Sequence, residues 1–324
     1  MKILRIGDPH TQIKNLKDSE KLVDFVIEVA SCSGVHVVEF LGDLFHNHAV
    51  LRVEVVDFWQ KTFDKLEALP VKVRVLVGNH DQPGSKEKEQ EINALNIFKD
   101  TKSRTIINKP MKLDDIGYIP YMSDEESFIA AAQDLYDQGA IGLLVAHQTF
   151  TGAQYENGFF SEEGIDPALL PQAQILSGHI HMTQQIGKCF YPGTPKWDTM
   201  SDANQEKGIW IFTHDETGMY TSKEFISTRD VVTPITSFVV KEGDELPTLN
   251  PDARNYVTLE GKSAWITKTK KKFKDIAQIK VKPTDRRVIV NKENTETIDK
   301  YLENEFSPIE GVSKKEIKQH LAEL

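Results

Sequence analysis

Four short runs of β-branched and aliphatic residues recur through the first half of the chain, at Ile3–Ile6, Val35–Leu41, Val71–Val77 and Ile141–Ala146. Their length and composition are those of strands. Around them, apolar residues return at helical spacing near Ser19–Ala30, Leu51–Leu69, Glu89–Phe98 and Asp124–Asp137. Ser19 and Ser123 stand where N-caps are expected, and Pro70 closes the second helix ahead of its strand. This strand–helix–strand rhythm predicts an α/β domain. In the second helix Val53, Val56, Trp59, Phe63 and Leu66 form one stripe, with Val55 and Phe58 beside it. One face is expected on the sheet, leaving a second apolar face to be covered.

After Arg229 the texture changes. Short strand-like runs follow at Ser237–Val240, Asn255–Leu259, Ile276–Val281 and Arg287–Val290, with no helical pattern between them. The tail reads as two short helices, Thr295–Glu305 and Ser313–Leu324. Ile298, Leu302 and Phe306 line one, and Ile317, Leu321 and Leu324 line the other. The expected division is therefore 1–229 for an α/β domain, 230–293 for a small β-rich domain and 294–324 for a helix–loop–helix.

Composition narrows the class. At 324 residues, 39% hydrophobic and 27% charged, the chain suits a soluble globular protein with a substantial core. No apolar run reaches the 18 or so residues that cross a bilayer, and the first residues carry no signal-peptide pattern. Two cysteines, Cys32 and Cys189, exclude a disulfide scaffold and fit a reducing, cytoplasmic setting, whether bacterial or that of an infected cell. The net charge of -10 taken alone argues against a nucleic-acid partner. Its distribution reverses that argument. Between Lys262 and Lys292 eleven basic residues face only Asp275 and Asp285, a local +9 against -19 elsewhere. The plain reading of such a run is a solvated lysine-rich loop, and the sharper one is a surface for a polyanion. Lys268, Lys270, Lys271, Lys272 and Lys274 are its centre, with Trp265 and Phe273 interleaved and expected mainly in the core.

Five polar motifs carry the chemistry. Asp8-Pro9-His10, Gly42-Asp43-Leu44-Phe45-His46, Gly78-Asn79-His80-Asp81 and His147 each follow a predicted strand, and Gly178-His179-Ile180-His181 ends the apolar stretch Ile175-Leu176. Ligands of α/β sheets gather at the carboxyl ends of strands, so these side chains are expected in one crevice. Carboxylate, amide and imidazole donors suit Mn, Fe or Zn, and the lack of thiolate disfavours structural zinc. Asp8, His10, Asp43, Asn79, His147, His179 and His181 are too many for one ion and suit two ions sharing a carboxylate. Gly42, Gly78 and Gly178 each precede a ligand, where freedom in φ is expected. Any one motif alone is ordinary turn chemistry; five in this order, nearly all at strand exits, are not. His36, placed in a strand, His214 and His320 read as structural or surface histidines, and His48 stays open.

This series resembles the calcineurin-like metallophosphoesterases over roughly residues 1–225, and within them the SbcD-type DNA nuclease subunits of the meiotic-recombination nuclease family and their phage counterparts. Phe45-His46, Ala146-His147-Gln148 and Tyr191-Pro192-Gly193-Thr194-Pro195 carry the finer likeness. The resemblance implies an α/β (α+β) fold: a two-sheet sandwich flanked by helices, then a capping domain at about Val232 onward. It implies that Asp8, His10, Asp43 and His181 hold one metal and Asp43, Asn79, His147 and His179 the other. Mn is the implied ion, with Mg, Fe and Zn as alternatives. His80 takes the place of the family's catalytic histidine and His46 that of its partner.

The implied activity is 3′-to-5′ exonuclease action on double-stranded DNA and endonuclease action on single strands or hairpins. An SbcC-like ABC ATPase is the implied partner of the tail helices, and the second face of helix Leu51–Leu69 the implied homodimer contact. A phosphodiesterase or phosphatase of small substrates within the same superfamily and a DNA-end-binding scaffold are the competing readings. A Gly-x-x-x-x-Gly-Lys loop is absent, so ATP hydrolysis by this chain is not expected.

Overall fold

The computed structural model describes residues 1–48, 50–84, 92–98 and 100–285. The strand expected at Arg287–Val290, both tail helices and His320 lie outside the described residues.

The four runs of the sequence form β1 (Lys2–Ile6), β2 (Val37–Phe40), β3 (Lys72–Leu76) and, later, β7 (Leu143–His147). β4 (Arg104–Ile107) extends the first three into a parallel set. A second sheet is built from β5 (Met111–Leu113), β6 (Ile116–Ile119), β7, β8 (Gln174–Gly178), β9 (Gln184–Ile186) and β10 (Cys189–Tyr191). The chain then returns to the first sheet as β11 (Gly208–His214) and β12 (Tyr220–Ser227), both antiparallel to their neighbours. The strand orders are β12-β11-β1-β2-β3-β4 and β5-β6-β7-β8-β10-β9. Two mixed sheets thus face each other, the sandwich that the resemblance implies. Ile3, Val37, Leu76 and Phe212 from one meet Tyr118, Val145, Leu176 and Phe190 from the other in a shared dry core.

Helices α1 (Leu16–Cys32) and α2 (Val53–Glu67) cover the first sheet, and Phe40 packs edge-on against Trp59 at 5.3 Å. The second sheet is covered by α3 (Glu125–Asp137), whose Phe128, Ala132 and Leu135 sit against Leu144 and Ile175. Two caps differ from expectation. Ser19 lies buried inside α1, which starts one turn earlier after Asn15. Asp124, not Ser123, caps α3 by accepting from the Ser127 amide at 2.9 Å, because its carboxylate completes the turn and reinforces the helix dipole.

Other expectations are corrected. In place of the helix Glu89–Phe98 the described residues hold a single 3-10 turn, Ala94–Ile97. His36 lies in a bend before β2, exposed, not within the strand. On α2 the buried stripe is Val55, Phe58, Trp59, Thr62, Phe63 and Leu66, whereas Val53 is 78% exposed. The two faces read from the pattern are therefore one face, rotated by part of a turn.

The compact units divide at Thr236, the first taking residues 1–236 and 251–254. In the second, β13 (Ile235–Lys241), β14 (Arg254–Gly261) and β15 (Gln278–Pro283) form a three-stranded sheet. A helix, α4 (Ser263–Phe273), stands where none was expected. Its reason is topological: β14 and β15 are parallel, so the chain between them must cross back, usually as a helix. Ile266, Thr269 and Phe273 of α4 are buried, and Lys268, Lys270, Lys271 and Lys272 are exposed on it with Lys274 at its end. The lysines occupy a helical face, not a loop. Among the described residues no helix is long and apolar enough to cross a membrane.

Candidate metal centre

Every motif lands at one end of the sandwich. Asp8 and His10 leave β1, Asp43 and His46 leave β2, and Asn79 and His80 leave β3. His147 is the last residue of β7, and His179 and His181 leave β8. Both sheets therefore contribute, because their parallel strands point their carboxyl ends the same way. Backbone bonds zip the first two loops together: the His10 amide donates to the Asp43 carbonyl and that of Thr11 to Leu44, each at 2.9 Å. Asp81 ties in the third by accepting from the amides of Phe45 (3.1 Å) and Gly78 (3.0 Å).

The loops are strained where the ligands sit. His10, Asp43 and His179 adopt φ of 42°, 52° and 80°, a left-handed region uncommon for side chains other than glycine. Of the three glycines expected to need conformational freedom, only Gly42 has positive φ. Gly78 is required by space instead, since a Cβ there would lie 2.2 Å from Asp43 Oδ1.

The metal-donor candidates converge in two adjacent groups among the described residues. Asp8, His10 and His181 form one, and Asp43, His147 and His179 the other, with the ligand atoms of each group within 4.8 Å of one another. His147 Nε2 lies 3.2 Å from Asp43 Oδ2 and 3.0 Å from Asn79 Oδ1, and His179 Nδ1 lies 2.8 Å from the same amide oxygen. His10 Nε2 is 2.9 Å from His181 Nε2 and 3.6 Å from Asp43 Oδ2, so Asp43 stands between the groups.

Outer contacts set the ring orientations. His147 Nδ1–H donates to the Leu41 carbonyl at 2.7 Å, which turns Nε2 toward Asp43 and Asn79. Two carboxylates in a dry site call for positive charge. Burial lowers His147, but Asp43 and Asp8 outweigh it and carry the imidazole up to about 9. Burial raises Asp8 to about 6. For Asp43 burial is overcome by His147, His10 and His80, which hold its carboxyl well below the ordinary range. The Oδ1 of Asp8 and the Nδ1 of His10 are buried with no hydrogen-bond partner. Oxygen and imidazole donors facing one another in this way fit divalent cations.

His80 and His46 lie beside these groups. The His80 amide donates to Asp43 Oδ1 at 2.8 Å, and its Nδ1–H donates to the His46 carbonyl at 2.6 Å, so Nε2 is left free. The rings of His80 and His10 meet edge-on at 4.6 Å, and His46 is 5.7 Å from His80. His48 stacks on His80 at 4.0 Å and donates from Nδ1 to the Asn79 carbonyl at 2.9 Å. His36 and His214 lie apart from the site.

Sequence reasoning missed Glu156. On the loop between β7 and β8, it accepts from His181 Nδ1–H at 2.9 Å and so fixes the ring with Nε2 facing Asp8. Nothing local marks it, since the pairing spans a long loop. Such outer carboxylates typically contribute 10–100-fold to metal affinity. Glu156→Gln is accordingly expected to weaken binding of one of two Mn ions by about tenfold or more in isothermal titration calorimetry. Unaltered affinity at both sites would remove that role.

Comparison with known proteins agrees in kind. A family profile described as calcineurin-like phosphoesterase matches residues 1–183, a span that encloses all seven metal-ligand candidates. The chain is 24% identical over 224 residues to exonuclease subunit 1 of Enterobacteria phage T4, covering 65% of this chain and 64% of that one. It is 26% identical over 228 residues to phosphoesterase 244L of Invertebrate iridescent virus 6, covering 68% and 79%. With phosphoesterase 078R of Invertebrate iridescent virus 3 the identity is 28% over 203 residues, covering 59% and 56%. The matched region is thus under two thirds of the length of the phage protein and of 078R.

Proposed function

This chain belongs to the calcineurin-like phosphoesterase family, and from that premise we propose that it is the nuclease subunit of a DNA repair or recombination complex, cutting DNA with two divalent metals. The observation that carries this reading is the convergence of seven metal-donor residues with His80 and His46 at one end of the sandwich. Asp8, His10, Asp43 and His181 are assigned to one metal and Asp43, Asn79, His147 and His179 to the other, with Mn as the working ion. Bound metals of this kind supply an activated water and neutralise charge on the phosphate. The Nδ1–H bond of His80 to the His46 carbonyl orients the ring with Nε2 toward the site, and to protonate the departing oxygen the ring would first take up a second proton at Nε2. His46 sits alongside to assist.

DNA is favoured as substrate by the phage relative, an exonuclease subunit, and by the lysine face of α4. The family resemblance supplies the modes: 3′-to-5′ exonuclease on duplexes and endonuclease on single strands or hairpins. Residues 294–324 are assigned to an SbcC-like ATPase, and a homodimer is assigned to the exposed Val50, Leu51 and Val53 around the start of α2. The cytoplasm is the assigned compartment.

Purified protein with Mn is expected to digest linear DNA faster than a nitrophenyl phosphodiester or a cyclic nucleotide. The reverse order would make it a small-substrate diesterase, and binding of DNA ends without cleavage would make it a scaffold. Neutralising Lys268, Lys270, Lys271, Lys272 and Lys274 together is expected to weaken DNA binding and flatten its salt dependence. Each lost phosphate contact lowers the slope of log K against log salt by ~0.9 for duplex DNA. An unchanged slope would remove the lysines from the interface.

A further inference from the structure

We propose that a cavity beside the metal ligands, walled by Trp210 and Phe225, takes an unpaired nucleobase flanking the phosphate being cut; this rests on DNA as the substrate. The cavity holds about 470 Å³ and is lined by Met182, Thr183, Gln205, Glu206, Trp210 and Phe225. Nothing in the phosphoesterase chemistry uses these residues.

Register places it at the metal end of the sandwich. Trp210 of β11 lies opposite Arg5 of β1, the strand that releases Asp8 three residues later, and Phe225 of β12 lies opposite Trp210. Both walls are tied to His181. Met182 and Thr183 follow it directly, which allows at most ~7 Å of backbone between His181 and Thr183. On the other side, Lys207, next to Glu206, donates from Nζ to the His181 carbonyl at 3.0 Å. Both walls of the cavity are thus joined to the segment that carries His181, which sets it next to the candidate metal ligands.

The chemistry of the walls selects the occupant. Trp210 Nε1–H donates to the Pro192 carbonyl at 3.1 Å, which fixes the indole, and the Phe225 ring lies 5.0 Å away at 52°. Phe225, on the edge strand β12, is 37% exposed, so part of its ring faces solvent. Two aromatic rings and a thioether suit a flat heterocycle, and stacking on such rings tolerates any base. Glu206 lines it with a carboxylate paired with Arg229, and the Gln205 amide donates to the Ser201 carbonyl at 2.8 Å, so these polar groups are already engaged and the aromatic faces carry the selection for a flat base.

The test uses the full chain with Mn and single-stranded oligonucleotides in which the base 5′ or 3′ to the cleaved phosphate is removed. Loss of one of these bases is expected to lower kcat/KM about tenfold in the unmodified protein. In Phe225→Ala the intact and abasic substrates are expected to react at equal rates. Separately, dAMP is expected to quench tryptophan fluorescence saturably, ribose 5-phosphate not at all, and Trp210→Phe to abolish the response. DNA cleavage indifferent to either base, or a full abasic penalty retained in Phe225→Ala, overturns the subsite and spares the nuclease reading. Saturable dAMP quenching without DNA cleavage does the opposite.

Discussion

His80→Ala is expected to lower Mn-dependent DNA cleavage by about 10²–10⁴-fold, the range for loss of a positioned acid–base group. The loss should appear in kcat, because the His80 ring is oriented by neighbouring groups of the candidate metal centre. Two of those groups matter. The Asp43 carboxylate accepts the His80 amide, and the His46 carbonyl accepts Nδ1–H, so the ring presents Nε2 in one tautomer before any substrate arrives. Burial lowers the affinity of this imidazole for a proton. Metal binding is the control: two Mn ions should still bind in the variant, measured by calorimetry, because His80 is not among the assigned ligands. Asp43→Ala should lose both activity and metal. Full cleavage activity in His80→Ala would end its catalytic assignment.

The second large effect concerns stability. Glu39→Ala is expected to cost about 3–5 kcal/mol in urea unfolding, the range for removing one partner of a buried charge pair. Glu39 is wholly buried between the sheets, where it pairs with Arg5 and accepts from the Tyr118 hydroxyl at 2.6 Å. Arg74 donates to the same hydroxyl at 2.7 Å and pairs with Asp114. The network binds β1, β2 and β3 of one sheet to β6 of the other, so deleting its carboxylate leaves Arg5 without its partner charge in a dry core. Tyr118→Phe should cost less, since both arginines keep a carboxylate.

Arg5 also donates to His214 Nε2 at 2.7 Å, and His214 Nδ1–H donates to the Gly218 carbonyl at 2.8 Å. Burial and then Arg5 push this imidazole down to about 3. An unfolded histidine takes up its proton near 6.5, so between those values the folded state binds fewer protons. This contribution is whole above about pH 6.5 and is lost progressively as pH falls toward 3. The urea midpoint should fall between pH 7.5 and 5, and His214→Gln should reduce that slope. An unchanged slope in the variant would clear His214 of the effect.

The amino-acid sequence by itself determined the metal-donor candidates and the α/β class of the first domain, while the two-sheet sandwich was implied by the family resemblance. Asp8, Asp43, Asn79 and His147 stand at or just past the ends of aliphatic runs, and the carboxyl ends of parallel strands lie side by side wherever the sheet forms. Local order was therefore enough to group residues more than 130 positions apart. Partition of charge was equally legible, because it is a sum over neighbours in sequence.

Other features were decided only by tertiary structure. The lysine run gave no sign of being helical, since α4 exists to connect two parallel strands and that pairing is non-local. The buried face of α2 was misread by part of a turn because Val53 and Val55 are equally apolar and only the neighbouring sheet chooses between them. Glu156 on His181, Glu39 between two arginines and Trp210 opposite Phe225 join segments with no shared period. Periodicity records which face of an element is buried; it does not record what that face meets. For that reason the donors could be named from the chain, while the groups that aim them and the cavity beside them appear only once both sheets are folded.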